Sequence, residues 1–371
     1  MEQPNDVKGT DMKGERALRV AQIGPLYERI PPKLYGGTER VVSYITEELV
    51  RRGHEVTLFA SGDSITSAKL EAGCPQALRL IGRPELGAFL QFPMLSEAFE
   101  GAAERFDVIH THIDYWAFPF ARLSGMPTVA TMHGRLDIDD LRPVYKHYQS
   151  MPLVSISDAQ RTPLPFMNWV ATIHHGLPRD LLRFSAKPGK YLAFLGRISP
   201  EKRPDIGIKV ARQAGIPFKI AAKVDVVDRE YFETAIKPLL SPPDVEYIGE
   251  IGEAEKSEFL GNALALLFTI DWPEPFGLAM IEAMACGTPV IARRCGSVPE
   301  VVNPGVTGFV ANEVDELVAA AKRVDSLSRE RCRREFEERF TVETMVDRYE
   351  SVYRQLIEKA REQGRETVTR A

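Results

Sequence analysis

Two glutamates eight positions apart, Glu274 and Glu282 in the stretch DWPEPFGLAMIEAMACGTPVIA, are the residues of this chain whose type and spacing say most about chemistry. Pro275 and Gly277 read as a helix opening and LAMIEAMA as its first turns, which sets Glu274 on the entering loop and Glu282 inside the helix. Eight positions span roughly 12 Å of helix rise, about the separation of hexose and ribose in an extended sugar nucleotide, so the two carboxylates could grip opposite ends of one such molecule. Between them the helix N-terminus offers unsatisfied N–H groups and the positive end of its dipole, which is where a diphosphate would lie. The spacing alone also fits a solvated loop carboxylate followed by an exposed helical one.

Other stretches supply complementary groups. FLGRISPEKRPD places Arg197 just after a strand and Lys202 in the following loop. Two fixed cations at the C-terminal edge of a parallel sheet are placed to neutralise a leaving diphosphate, whereas Arg203 fits a surface role. In LYGGTERVV, Gly36 and Gly37 lie between the first strand and a helix; glycine lets backbone approach a bulky anion, and a helix start favours phosphate. This is no GxGxxG, so nothing points to a nicotinamide cofactor. Alternation in HTHIDY turns His110 and His112 to one face, an arrangement that also opens the ligand set of some metal hydrolases. No carboxylates cluster around them at ligand spacing. TMHGR puts His133 just beyond a strand, and IHHGLP carries His174 and His175. In RCGSVPEVV, Gly296 and Ser297 precede a short helix that Ser297 could cap, while Asp271 and Trp272 border either a pocket or, for Trp272, the core.

The elements that must position these groups follow from periodicity. From Leu18 onward, short Val- and Ile-rich runs alternate with amphipathic stretches, the pattern of repeated βα units on a mostly parallel sheet. Strands are expected at RALRVAQIG, EVTLFAS, DVIHTH, PTVATMHG, PLVSIS and WVATIHHG, then again at YLAFLGR, FKIAAK, VEYIG, ALLFTI and TPVIAR. In ERVVSYITEELVRRG, residues Val41, Val42, Ile45, Leu49 and Val50 recur at helical spacing. The polar stretch RFSAKPGK divides the two runs, which puts a hinge near residues 183–190. A last helix, TVETMVDRYESVYRQLIEK, carries Met345, Tyr349, Val352 and Leu356 as an apolar stripe, and the terminal EQGRETVTRA is expected to fray.

The succession of EPFG, AMACGTPVIA and GSVPEVV, together with a G-R-(x)4-K motif ending in Lys202, resembles the retaining glycosyltransferases of family 4, the glycosyl transferases group 1. The resemblance covers nearly the whole chain and is strongest in the second half. It implies the GT-B fold: two Rossmann-like, doubly wound domains facing a central cleft. The expected order is a disordered leader over 1–16, an acceptor-side domain over 17–185, a nucleotide-sugar domain over 186–345, and a helix over 346–371 crossing back to the first domain. By the same resemblance Arg197 and Lys202 form a diphosphate clamp, His133 touches the donor sugar, and Gly36 and Gly37 meet the donor across the cleft. Glu274, Phe276, Gly277 and Glu282 hold the donor, with Gly296 and Ser297 close to it. The implied activity is transfer of a hexose, with retention, from a nucleoside diphosphate sugar to an acceptor hydroxyl, without metal or cofactor. UDP-glucose is the favoured donor and GDP-mannose the next. Three alternatives stand beside it: a metal-dependent hydrolase built on His110, His112, His133 and His174, a non-catalytic sugar-nucleotide-binding protein, and a glycosyl phosphorylase.

Composition sets outer limits. The 371 residues suffice for two domains with full cores, and the net charge of −5 comes without a basic block, which argues against nucleic acid as a partner. Cys74, Cys286, Cys295 and Cys332 form no CxxC pair, so neither a disulfide framework nor a zinc site is expected and a reducing cytoplasm fits. The polar residues 1–16 lack the core of a signal peptide and no run is long enough to span a bilayer, although peripheral membrane contact stays compatible with the sequence.

Overall fold

The computed structural model describes residues 16–369 apart from Pro188, so the expected leader lies outside the described residues except for Arg16. A seven-stranded sheet is assembled in the order β3-β2-β1-β4-β5-β6-β7. Its strands are β1 (Arg19–Ile23), β2 (Glu55–Ser61), β3 (Lys69–Cys74), β4 (Val108–Thr111), β5 (Thr128–Thr131), β6 (Leu153–Ser155) and β7 (Trp169–Thr172). A six-stranded sheet follows in the order β10-β9-β8-β11-β12-β13. It contains β8 (Tyr191–Arg197), β9 (Phe218–Lys223), β10 (Val245–Gly249), β11 (Ala263–Phe268), β12 (Val290–Arg293) and β13 (Gly308–Ala311). All pairings between these strands are parallel. The expected strands are present, and β3 and β13 are additions at the sheet edges.

Strand order decides where a ligand can sit. In the first sheet the chain runs outward from β1 through β2 and β3, then returns to β4 on the other side of β1. In the second it runs from β8 through β9 and β10 and returns to β11 beside β8. The loops after β1 and β4, and those after β8 and β11, therefore part in opposite directions and leave a crevice at the carboxyl ends of the strands.

The helix Gly37–Arg51 buries Val41, Val42, Ile45 and Leu49 against the first sheet, as its apolar spacing requires. The last helix, Val342–Thr369, continues through most of the stretch expected to fray. It lies on the first domain: Tyr349 and Tyr353 are fully buried, and Glu350 bonds to both His54 (2.6 Å) and Arg52. Each buried apolar side chain of this kind, such as Val346, stabilises the docking by about 1.5–3 kcal/mol. The chain passes between domains along two adjacent segments, since Leu177 N donates to Phe340 O (2.9 Å) and Val342 N to Leu177 O (2.8 Å). Residues at the start of the expected hinge are bonded to the second domain, Arg183 N to Ser257 Oγ (3.1 Å) and Ser185 N to Cys286 O (3.0 Å). The domains also meet through an Arg40–Glu253 ion pair, and through Glu300, whose carboxylate accepts from Asp158 N and Ala159 N (both 2.8 Å).

Candidate active site

The second domain's switch point brings Lys202 and Glu274 together. Arg197 ends β8, and Lys202 closes a short turn, Pro200–Lys202, whose exit is pinned by Thr269 just after β11: Thr269 Oγ1 donates to Arg203 O (2.8 Å). Asp271 N donates to Glu201 O (2.8 Å), so the loop carrying Glu274 is laced to the loop carrying Lys202. As a result Lys202 Nζ and Glu274 Oε2 form an ion pair although 72 residues separate them. Trp272 Nε1 donates to the same carboxylate oxygen (2.9 Å), and Lys202 Nζ lies 5.1 Å from the Trp272 ring centre. Trp272 thus borders the pocket, whereas Asp271 pairs with Arg203 (3.0 Å) and Arg293 (2.9 Å) at its edge. Arg197 is held by Glu201 (2.6 Å), Asp228 (3.4 Å) and Asp225 (3.7 Å). Burial works against its charge, but Asp228 and the other anionic neighbours outweigh it and raise the guanidinium's pKa. Both cations are therefore already paired, and an anion would have to displace or share these carboxylates to engage them.

The helix Leu278–Ala285 begins at Gly277, whose φ of 83° is left-handed, and a Cβ there would come within 2.7 Å of the Phe268 ring. Glycine is what lets the chain turn this tightly into the helix. No side chain caps that helix start, nor the start of Gly37–Arg51 opposite it. The two starts nearly touch: a Cβ on Gly37 would lie 3.6 Å from Leu278 Cδ1. Two positive helix ends thus converge on one space, an arrangement suited to a diphosphate. Glu282 is buried on the same helix, and its Oε1 bonds to Lys256 Nζ (2.6 Å).

These groups line a cavity of about 460 Å³ that both domains enclose. Gly36, Gly37, Glu39, Arg40, His133 and His175 come from the first domain, and Arg197, Lys202, Glu274, Phe276, Gly277 and Glu282 from the second. Burial raises the Glu39 carboxyl to about 7, against weaker opposing effects of backbone and arginine. Gly296 and Ser297, expected beside the donor, do not line the cavity. They brace it from behind: Ser297 N donates to Glu274 O (3.0 Å), and Ser297 Oγ to Phe276 O (2.7 Å) rather than capping its helix.

The histidines form a buried row. Both ring nitrogens of His110 are taken, Nδ1 by Tyr353 OH and Nε2 by Thr131 Oγ1 (each 2.7 Å). His112 pairs with Gln22 Oε1 (2.8 Å) and with His133 Nε2 (2.9 Å), and His174 turns away to Glu300 (3.2 Å). His110 and His112 have both ring nitrogens engaged within the protein, and His174 points away from them. Among the described residues no group of three or more His, Cys, Asp or Glu is arranged to hold a metal ion. Sequence reasoning passed over Lys256, which no motif marks, and named His175 without giving it a role; its ring stacks on His133 (5.2 Å between centres) and meets Phe276 edge-on (5.0 Å). The available signal for His175 was its place at the end of the expected strand WVATIHHG, since β7 runs beside β6 toward the same edge.

Two parallel, doubly wound sheets with a ligand-sized cleft at their facing carboxyl edges constitute the GT-B architecture. Residues 35–190 match the family model for glycosyltransferase family 4, and residues 183–342 the model for glycosyl transferases group 1. The chain is 26% identical over 356 residues to D-inositol 3-phosphate glycosyltransferase of Mycobacterium marinum, covering 79% of this chain and 73% of that one. It is 25% identical over 413 residues to alpha-maltose-1-phosphate synthase of Mycolicibacterium smegmatis, covering 90% of this chain and all (100%) of the other. Among solved structures, sucrose-phosphate synthase from Thermosynechococcus elongatus superposes with a TM-score of 0.74 at 20% identity, over 92% of this chain and 100% of that one. The chain belongs to the family 4 glycosyltransferases. No helix among the described residues is long and apolar enough to cross a membrane.

Proposed function

We propose that the protein transfers a hexose from a nucleoside diphosphate sugar to an acceptor hydroxyl with retention of anomeric configuration, using UDP-glucose first and GDP-mannose next. One observation carries this reading: Glu274, Lys202, Arg197 and Glu282 share a single cavity with two uncapped helix starts. Glu282 would hold the ribose, the helix starts with Arg197 and Lys202 the diphosphate, and Glu274 with His133 the hexose. As the anomeric C–O bond breaks, charge gathers on the departing diphosphate, and fixed cations and N–H dipoles stabilise it most at that moment. The acceptor oxygen bonds to the anomeric carbon on the face the diphosphate leaves, and its proton passes to a departing phosphate oxygen. Lys202 and Arg197 supply the positive charge for this step, in a cytoplasmic enzyme that needs no metal.

The test is a thermal-shift screen against UDP, GDP and ADP sugars, followed by turnover with the stabilising donor and proton NMR of the product's anomeric signal. A stabilising UDP sugar and an α-linked product from an α-donor support the proposal. An inverted product, activity abolished by chelator and restored by one divalent metal, or cleavage that requires inorganic phosphate would each overturn it.

A further inference from the structure

The buried histidine row has a direction. Burial first, and neighbouring imidazoles second, keep His110 and His112 neutral, while burial pushes His133 down to about 3. A neutral imidazole carries one N–H and one lone pair, so fixing either nitrogen fixes the other. Gln22 provides the fixed point. Its amide nitrogen faces Tyr353 OH (3.2 Å) and His110 Nδ1 (3.4 Å), and its carbonyl oxygen faces His112 Nε2 (2.8 Å). An amide oxygen only accepts, so His112 Nε2 bears the proton and His112 Nδ1 is bare. His133 Nε2, 2.9 Å from that bare nitrogen, must donate to it. The remaining nitrogen, His133 Nδ1, is then a lone pair; it is buried, has no partner among the described residues, and belongs to a side chain lining the cavity.

We propose that Gln22 and His112 are positioning residues that set the tautomer of His133, so that its Nδ1 accepts a hydrogen bond from one hydroxyl of the transferred sugar. The choice of hydroxyl rests on the donor reading above, but the tautomer does not. The row also ties this acceptor to the C-terminal helix, because Tyr353 anchors Gln22 and His110 together. An acceptor at this point demands a hydrogen from the sugar. A fluorine in place of the hydroxyl can only accept, and would face a lone pair.

Long-range proton–nitrogen spectra of the full chain, labelled with 15N in its imidazole rings, decide the tautomer directly, with His133→Asn assigning the signals. The expected result is a pyridine-type Nδ1 and a pyrrole-type Nε2 on His133; an Nδ1–H form in the wild-type protein overturns the proposal whether or not any sugar nucleotide is turned over. Gln22→Glu keeps an acceptor at the fixed point and should preserve the pattern. Gln22→Met removes it, and should give mixed tautomers with kcat lowered about tenfold, the scale of one buried hydrogen bond. In a set of donors fluorinated at single hydroxyls, one position should lose about tenfold in kcat/KM with wild-type enzyme and lose nothing further with His133→Ala. Equal losses in both enzymes would overturn the hydroxyl contact while leaving the tautomer to the spectra.

Discussion

Gly296→Ala should cripple transfer although residue 296 does not itself line the cavity. Gly296 has a φ of 51°, and a Cβ built on it would lie 2.4 Å from both Glu274 N and Glu274 O, below the 3.0 Å that real Cβ contacts essentially never breach. The opposing atoms are backbone, so relief requires the Glu274 loop to move by at least 3.0 − 2.4 = 0.6 Å. Misplacing a catalytic group by about 1 Å costs on the order of 10²-fold, so a fall of roughly 10- to 10²-fold in kcat is expected. The left-handed backbone adds about 1–2 kcal/mol of instability. Gly305→Ala separates the two effects, because Gly305 has a φ of 78° and open space around its Cβ. It should lose comparable stability by urea denaturation and keep its rate. If Gly296→Ala matches Gly305→Ala in both rate and stability, the Glu274 loop is not held in register by this contact, and the reasoning fails.

The remaining expectations concern the cavity itself and the contact between domains. Glu274→Ala and Lys202→Ala should each lose about 10²-fold or more in transfer rate with the fold intact by circular dichroism, because both side chains project into the cavity; near-wild-type turnover removes either from the catalytic set. By calorimetry with UDP, His133→Ala should bind almost normally and Glu282→Ala weakly, since the nucleotide is assigned to the second domain; equal losses would refute that division. Burial raises the Glu300 carboxyl, but bonds from His174 and the Asp158 and Ala159 N–H groups outweigh it, so its pKa in the folded protein is depressed. The interdomain contact is then fully present above about pH 4.5, the carboxyl's ordinary value, and lost as pH falls through the lower folded value. Solution scattering should show the radius of gyration rising over that acid range in the wild type, and Glu300→Ala should be expanded already at neutral pH; a pH-independent wild type would refute the latch.

What was legible beforehand follows from where each signal is stored. Strands such as β4 and β5 are buried on both faces, so the apolar runs in DVIH and TVAT declare themselves locally. The edge strands do not. β3, in KLEAGC, is only partly buried and carries no apolar run, and β13, in GFVA, is fully buried only at Gly308, so pairing with a neighbour rather than composition makes them strands. The Glu274–Glu282 spacing was readable because both residues lie on one loop-helix unit. Their partners were not: Lys202 is 72 residues from Glu274 and Lys256 is 26 from Glu282, and a sequence displays charges without their pairings. Gly296 and Ser297 show the same limit. Their types marked a special turn, but whether that turn faces ligand or holds up the loop that does is settled only by the packing of β12's exit against the Glu274 loop.

The charge pairs also bear on how the enzyme would handle the proposed donor. Lys202 and Glu274 neutralise one another, and Arg197 faces three carboxylates that more than balance its charge, so neither cation stands unpaired to attract stray anions. A simple phosphate would have to break these pairs with few new contacts in return. On the proposed donor arrangement, a sugar nucleotide would engage the helix starts with its diphosphate, Glu282 with its ribose and Glu274 with its hexose at once, so only the whole donor would offset the cost. On that reading, discrimination in favour of the complete molecule is a property of these charge pairs, and lies in the same residues proposed to stabilise the leaving group.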